Sequence, residues 1–248
     1  MQQQIRINIP LDRSTGVTNP PSEISEIREM FYDMNHRYIV CEPSPYYYKT
    51  KRIMDITISS IFILFVMSWL FPIIAILIKL SSKGSVFFIQ KRTGFKGIEF
   101  NCLKFRTMYV NKDADIKQAS VDDKRITPIG KFLRLTHIDE TPQFFNVLFG
   151  DMSIVGPRPH MIYHTHYYSQ FITYYNLRHE AQPGMTGMAQ IKGYIGEINA
   201  EREIRKRVQW DIYYMKNRTI WLDIKILFNT AMAVFSKCLH PFSTKKEN

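Results

Sequence analysis

The sequence predicts an α-rich α+β fold: a compact domain of short strands and amphipathic helices behind one long apolar helix. Three observations carry this. Residues 56–78 form a run of 23 without a charge. Two short strand-like stretches flank Gly94 and Gly97. Downstream, apolar residues recur at helical spacing in several separate segments. With 248 residues and 45% apolar content, the chain has material for one packed core of ordinary size and is not globally disordered.

Residues 1–48 read as a polar extension. Positions 1–21 have no periodicity and are expected to be mobile. Positions 22–38 fit a short amphipathic helix opened by Ser22, with Glu23 and Glu26 near its start. This stretch has no basic-then-apolar leader pattern, so membrane engagement is expected from within the chain.

Residues 49–83 read as a membrane-inserted region. At roughly 1.5 Å per residue, the uncharged run is long enough to cross a hydrocarbon core of about 30 Å. Pro72 lies inside it, where it removes a backbone hydrogen bond and bends the helix. Basic residues flank both ends, Lys49, Lys51 and Arg52 before and Lys79 and Lys83 after. The positive-inside rule is satisfied when both ends stay cytoplasmic. The expectation is a re-entrant helix that turns at Pro72 and returns, with Ser68 supplying a partner for polar groups freed at the bend. A single span is the alternative.

Residues 84–240 carry the folded domain. Strands are expected at 86–90 and 99–104, and a polar excursion or surface helix at 112–124. Helices are expected at 129–135 and at 140–149, the latter stopped by Gly150. A tyrosine-rich helix is expected at 160–177 and a mixed-charge helix at 201–215. Residues 221–235 fit a strongly apolar amphipathic helix, either core or lying in a membrane interface. A polar tail, 241–248, follows.

The net charge is +11, and residues 49–134 hold 16 basic against 6 acidic residues. This basic surface adjoins the apolar segment, which suits anionic headgroups or polyphosphate ligands and brings a nucleic-acid partner into consideration. Cys41, Cys102 and Cys238 are widely separated and in no metal-like spacing, and read as reduced thiols. His160, His164, His166 and His179 fit no single helical face for three metal ligands and read as ordinary surface or core histidines.

Adjacent carboxylates at Asp139 and Glu140 stand just before Pro142, which is tolerated only in a first helical turn. The pair is therefore expected at a helix N-terminus, an end that attracts phosphate. With Arg134 and Arg158 close in sequence and a divalent cation to offset repulsion, a carboxylate there suits attack on phosphorus. The alternative is an acidic N-cap pair.

Seven blocks in order then carry a resemblance: QKRTG at 90–94, KFRTM at 104–108, RITPIGKFLR at 125–134, DETPQ at 139–143, NVLFGDMSIVGPRPH at 146–160, PGMTG at 183–187 and WLDIKILF at 221–228. Together they resemble the bacterial sugar transferases, the monotopic phosphoglycosyl transferases, across residues 51–235.

The resemblance implies a cytosolic catalytic domain at the bacterial inner membrane. It would transfer hexose-1-phosphate from a UDP-sugar to undecaprenyl phosphate and release UMP, with Asp139 forming a covalent phosphosugar intermediate. Glu140 is implied as a general base or orienting group. Arg134 and Arg158 are implied phosphate contacts, with Lys104, Arg106 and Arg92 as further candidates. Pro157 and Pro159 would stiffen the loop that holds Arg158, and Gly184 and Gly187 would permit a tight loop. Mg2+ is the implied ion, with Asp139 as its one protein ligand readable here. Relatives bend their re-entrant helix at a Ser-Pro pair, where this chain has Phe71-Pro72. Residues 193–197 look like the corresponding loop of hexose-type members, pointing to glucose or galactose over N-acetylated sugars.

Inner-membrane lipids and a second copy of the chain complete the partners considered. Two other readings compete: a membrane-tethered nucleic-acid-binding module, for which no known motif is present, and an inactive relative serving as a scaffold.

Overall fold

A helical run over Pro45–Ser81 dominates the computed structural model, which describes residues 4–7, 38–41, 43–111, 120, 123–196, 198 and 200–239. It comprises α1 (Pro45–Phe62), a π-helical segment (Ile63–Met67) and α2 (Ser68–Ser81). Ser44 opens it by accepting the Tyr47 amide, with Pro45 at the first helical position. Among the described residues it is the one helix long and apolar enough to cross a membrane. Leu64, Phe65, Trp69, Ile73, Ile76 and Leu80 are exposed along it.

Pro72 stays within α2, and the backbone departs from α geometry one turn earlier. Proline offers no N–H to the Ser68 carbonyl and its ring crowds that carbonyl, which loosens the preceding turn into wider π bonding. The Ser68 hydroxyl serves that turn and not Pro72: it donates to the Leu64 carbonyl at 2.6 Å, and Trp69 Nε1 donates to the Phe65 carbonyl at 2.9 Å.

In the N-terminal extension, β1 (Gln4–Ile7) pairs antiparallel with β2 (Tyr38–Cys41), where the sequence suggested no regular structure for the first of these. The helix expected at 22–38 and the excursion at 112–124 lie almost wholly outside the described residues.

The expected hairpin is present and slightly longer: β3 (Phe87–Thr93) pairs antiparallel with β4 (Glu99–Phe105). Its turn needs left-handed backbone at Lys96 and Gly97. Next come α3 (Pro128–Leu135), a 3-10 turn (Ile138–Glu140) and α4 (Gln143–Phe149). The single helix expected at 140–149 thus divides, because Pro142 caps α4 and leaves the two carboxylates in the turn before it. Gly150 ends α4 at φ 96°, as its sequence position suggested.

β5 (Ser153–Val155) and β6 (Gly184–Thr186) form a parallel pair. Between them lie α5 (Ile162–Ser169) and a 3-10 segment (Tyr175–Glu180), so the tyrosine-rich helix is shorter than expected. Arg205 Nη2 holds the intervening turn through the Phe171 carbonyl. Then follow α6 (Met188–Ile191), α7 (Glu201–Asn217) and α8 (Ile220–Leu239).

Two apolar clusters position the site. Tyr175, Leu177, Ile204, Val208, Ile212 and Ile226 pack α7 and α8 against the β5 region. Met67, Ile74 and Ile78 pack the long helix onto Phe105 of β4 and Leu133 of α3. Burying side chains of this size contributes roughly 1.5–3 kcal/mol each.

Both ends of the long helix are bonded to this one domain. Lys51 Nζ meets Asp223 at 3.0 Å and Asp55 accepts the Ile154 amide at 3.0 Å. At the other end, Arg106 donates to the Lys83 and Ser82 carbonyls at 2.7 and 2.8 Å.

Candidate active site

A cavity of about 520 Å³ lies between the β3–β4 hairpin, the Ile138–Glu140 turn and the loop after β5, and Asp139, Glu140, Lys104, Arg134 and Arg158 line it. Three local devices bring them together. His137 takes the left-handed conformation, φ 58°, and reverses the chain between α3 and the turn. Thr127 caps α3 by accepting the Gly130 amide at 3.0 Å. Asn146 ties α4 to β4, accepting from the Leu103 amide at 2.9 Å and donating to the Asn101 carbonyl at 2.8 Å.

Asp139 and Glu140 sit side by side in a 3-10 turn, where consecutive side chains diverge by about 120°. Their circumstances differ accordingly. Glu140 is saturated: Lys104 Nζ reaches Oε1 at 2.6 Å, Arg158 Nη1 reaches Oε2 at 3.0 Å, and Arg158 Nη2 bonds Oε1 as well. Burial alone would raise its pKa, but Arg158 and Lys104 outweigh it and hold the carboxyl well below its ordinary range. A carboxylate so held is a poor proton acceptor, which favours the orienting role over the base.

Asp139 is 8% exposed and has neither a hydrogen bond nor an ion pair among the described residues. Burial pushes it up to about 6; Lys104 opposes this, Glu140 adds to it, and Arg134 and Arg158 oppose it further. It is an uncommitted carboxylate in a cationic field.

The arginines divide by occupancy. Arg134 gives Nε to the Thr107 hydroxyl at 2.8 Å and keeps its terminal nitrogens without partners among the described residues. Arg158 is engaged by Glu140. Arg106 donates to the Ser82 and Lys83 carbonyls just past the end of α2, so its guanidinium fastens that end of the apolar helix to the chain leaving β4. Arg92 has each of its three nitrogens engaged, by the Pro159 carbonyl and Gln90 Oε1.

The loop carrying Arg158 is held at every carbonyl. Pro157 accepts from the Gly184 amide at 2.9 Å, Arg158 from Arg178 Nη2 at 2.7 Å, Pro159 from Arg92 Nη1 at 2.7 Å and His160 from the Thr93 amide at 3.1 Å. Gly184 and Gly187 serve close packing, not a tight loop: a Cβ would lie 2.1 Å from the Gly156 nitrogen at Gly184 and 2.2 Å from the Gly156 oxygen at Gly187.

The sequence reading did not single out Arg207. Glu201–Asn217 carries mixed charges, yet Arg207 and Asp211 share a buried stripe with Ile204, Val208, Ile212 and Met215, a periodicity that marks Arg207 as inward-facing. His160 and His179 are buried; burial holds the first well below its ordinary value and the second at about 3.

Among the described residues no group of three His, Cys, Asp or Glu side chains is placed to hold a metal. A hard ion bound through one carboxylate, substrate diphosphate oxygens and water needs no such group, and the uncommitted Asp139 fits that donor set.

The chain is similar over most of its length to known proteins. The family model described as bacterial sugar transferase matches residues 46–237. A UDP-glucose:undecaprenyl-phosphate glucose-1-phosphate transferase of Klebsiella pneumoniae is 47% identical over 186 residues, covering 75% of this chain and 40% of the relative. One of the same name from Caulobacter vibrioides is 40% identical over 187 residues, 75% of this chain and 70% of the relative. A UDP-N-acetylgalactosamine-undecaprenyl-phosphate N-acetylgalactosaminephosphotransferase of Aeromonas hydrophila is 40% identical over 196 residues, 78% of this chain and 45% of the relative. The chain spans about two fifths of the length of the Klebsiella relative.

Proposed function

The chain belongs to the bacterial sugar transferase family, and from that premise we propose that it moves a sugar-1-phosphate from a UDP-sugar to undecaprenyl phosphate, releasing UMP. The observation that carries the reading is the contrast within the acidic pair: Asp139 is buried, unpartnered and aligned with a cavity, while its neighbour is locked by two cations.

In this mechanism an Asp139 oxygen attacks the β-phosphorus and UMP departs, leaving a phosphosugar ester on the enzyme. The lipid phosphate then attacks the same phosphorus and frees Asp139. Two displacements divide one hard step. Glu140 keeps Arg158 and Lys104 side by side at the edge of the cavity, and Arg134 offers its free terminal nitrogens to a phosphate oxygen. Asp139 would hold a Mg2+ ion together with diphosphate oxygens, the ion supplying charge neutralisation as one anion approaches another.

The membrane part of the proposal is a re-entrant anchor, with the domain on the cytoplasmic face of the inner membrane and α8 lying at the interface. Supporting it, both ends of the Pro45–Ser81 run are bonded to one domain, so neither end lies across a bilayer unless the domain crosses too. The exposed Leu64, Phe65, Trp69 and Ile73 suit lipid. A hexose donor, UDP-glucose or UDP-galactose, is proposed over an N-acetylated one, in keeping with the names of the Klebsiella and Caulobacter relatives. The reaction would open assembly of a surface glycan.

The deciding experiment incubates wild type and Asp139→Asn with a panel of UDP-sugars and Mg2+, with and without undecaprenyl phosphate. UMP release and intact mass are the readouts. Wild type is expected to gain the mass of a sugar phosphate from donor alone and the variant none; equal UMP release by both proteins refutes the nucleophile.

A further inference from the structure

The same cavity is also lined by Arg207 and His160, which the mechanism above leaves unused. Arg207 is 6% exposed. Its Nη2 donates to the Gly196 carbonyl at 3.2 Å, its Nε is buried without a partner, and its Nη1 has none among the described residues. Beside it, His160 Nδ1 is engaged by the Tyr175 hydroxyl at 2.6 Å, while Nε2 is buried and unpartnered.

Among the described residues no carboxylate neutralises Arg207 by contact. Asp211, one turn along α7, directs Oδ2 to Arg178, whose Nε and Nη2 lie 3.0 and 2.6 Å away. Burial lowers the Arg207 pKa, Asp211 opposes this from a distance, and Arg158 and Arg178 add repulsion. A buried cation without a counter-ion is expensive, and a cavity beside it lets a ligand supply the missing charge.

Arg158 lines the same cavity, and its charge acts on both Asp139 and Arg207. Asp139, Arg158 and Arg207 line the one cavity, and a diphosphate presents two anionic centres that two separate cations in such a cavity can receive. Arg92 is not the second receptor, because each of its donor nitrogens is already bonded.

Resting on the reading that the donor is a UDP-sugar attacked at its β-phosphorus, we propose that Arg207 binds the α-phosphate and receives the charge of the leaving UMP. As the Asp139 oxygen bonds to the β-phosphorus, the bond from that phosphorus to the bridging oxygen breaks. The electron pair stays on the bridging oxygen, and UMP departs as an anion with no proton transferred. Arg207 stabilises that oxygen's phosphate as charge accumulates on it.

The test uses the full chain in detergent and compares wild type, Arg207→Gln and Arg207→Lys. UMP and uridine affinities are measured by calorimetry, formation of the covalent adduct from donor alone by mass spectrometry, and discharge of preformed adduct by undecaprenyl phosphate. In Arg207→Gln, UMP affinity is expected to fall at least about tenfold with uridine affinity unchanged, and adduct formation to slow by about 10²-fold with discharge unaffected. Arg207→Lys folds with its charge retained and falls between. Equal weakening of UMP and uridine would mark a structural role and overturn the proposal, as would wild-type UMP affinity in Arg207→Gln. Slowing confined to discharge would assign Arg207 to the lipid phosphate and overturn it too. If wild type forms no adduct at all, the donor reading itself fails; if it forms one and Arg207→Gln matches it, only the Arg207 assignment fails.

Discussion

Arg158 grips Glu140 with both terminal nitrogens, Nη1 to Oε2 at 3.0 Å and Nη2 to Oε1, and Lys104 adds a third contact at 2.6 Å. One carboxylate thereby fixes two cations whose mutual repulsion would otherwise separate them. In the proposed reaction an arriving phosphate would find the cations already assembled, the preorganisation on which electrostatic catalysis depends.

Glu140 and Arg158 are therefore energetically coupled. A double-mutant cycle with Glu140→Gln and Arg158→Met is expected to give a coupling of about 1–3 kcal/mol in chemical unfolding. The same cycle read in adduct formation should show strong non-additivity, each single variant being nearly as slow as the double. Additive effects on the rate would mean that the pair is structural only.

Replacing Asp139 should stabilise the protein. Asp139 holds its proton more tightly when folded, with a value of about 6 against an ordinary 3.8. Between those values the folded state carries the extra proton, so stability falls as pH rises across the window. Above it, the buried carboxylate costs about 2–3 kcal/mol, at roughly 1.4 kcal/mol per tenfold in proton affinity. Asp139→Asn should thus melt several degrees above wild type at pH 8, with the difference vanishing near pH 4. Adduct formation in wild type should rise with pH and level off above about 6.

Legibility followed the range of each interaction. The hairpin around Gly94, the stop at Gly150 and the helix of Glu201–Asn217 were readable because their signals are local: turn residues, a left-handed cap and helical periodicity. The parallel pair Ser153–Val155 and Gly184–Thr186 was not, since three residues are too few to show alternation. The acidic pair was found, but not its division of labour. Which carboxylate is bonded and which is free depends on Lys104 and Arg158, brought in from 36 and 18 residues away in sequence. Arg106 was read as a phosphate contact, yet its partners are the Ser82 and Lys83 carbonyls just past the end of α2, which only the packing of that helix reveals.

The loop holding Arg158 depends on glycine for clearance. A Cβ on Gly184 would lie 2.1 Å from the Gly156 nitrogen and 2.5 Å from the Thr186 oxygen, both rigid backbone atoms. Gly184→Ala should push β6 away from β5 and shift the carbonyl ladder that fixes the loop. The expected loss is about 2 kcal/mol or more of stability. Adduct formation should fall at least about tenfold with Asp139 intact, because an ångström of displacement at a charged contact is enough.

The seating of the long apolar helix should depend on one buried charge. Asp223, fully buried on α8, accepts from Lys51 Nζ at 3.0 Å, the Tyr47 hydroxyl at 3.0 Å and the Tyr214 hydroxyl at 2.7 Å. Tyr47, Lys51, Asp55 and Ser59 recur every fourth residue, so a whole polar face of α1 is turned into the domain. Asp223→Asn preserves size but leaves the Lys51 ammonium buried and uncompensated, and should cost about 3–5 kcal/mol. Lys51→Met with Asp223→Leu removes both charges and should recover much of that loss, since the pair's attraction largely offsets its desolvation. Because Arg106 ties the far end of the helix to the same domain, cysteines placed at positions 49 and 83 should react with an impermeant reagent from one and the same side of the membrane. Labelling from opposite sides would require one of these two ties to be broken in the bilayer, and the re-entrant anchor would give way to a span.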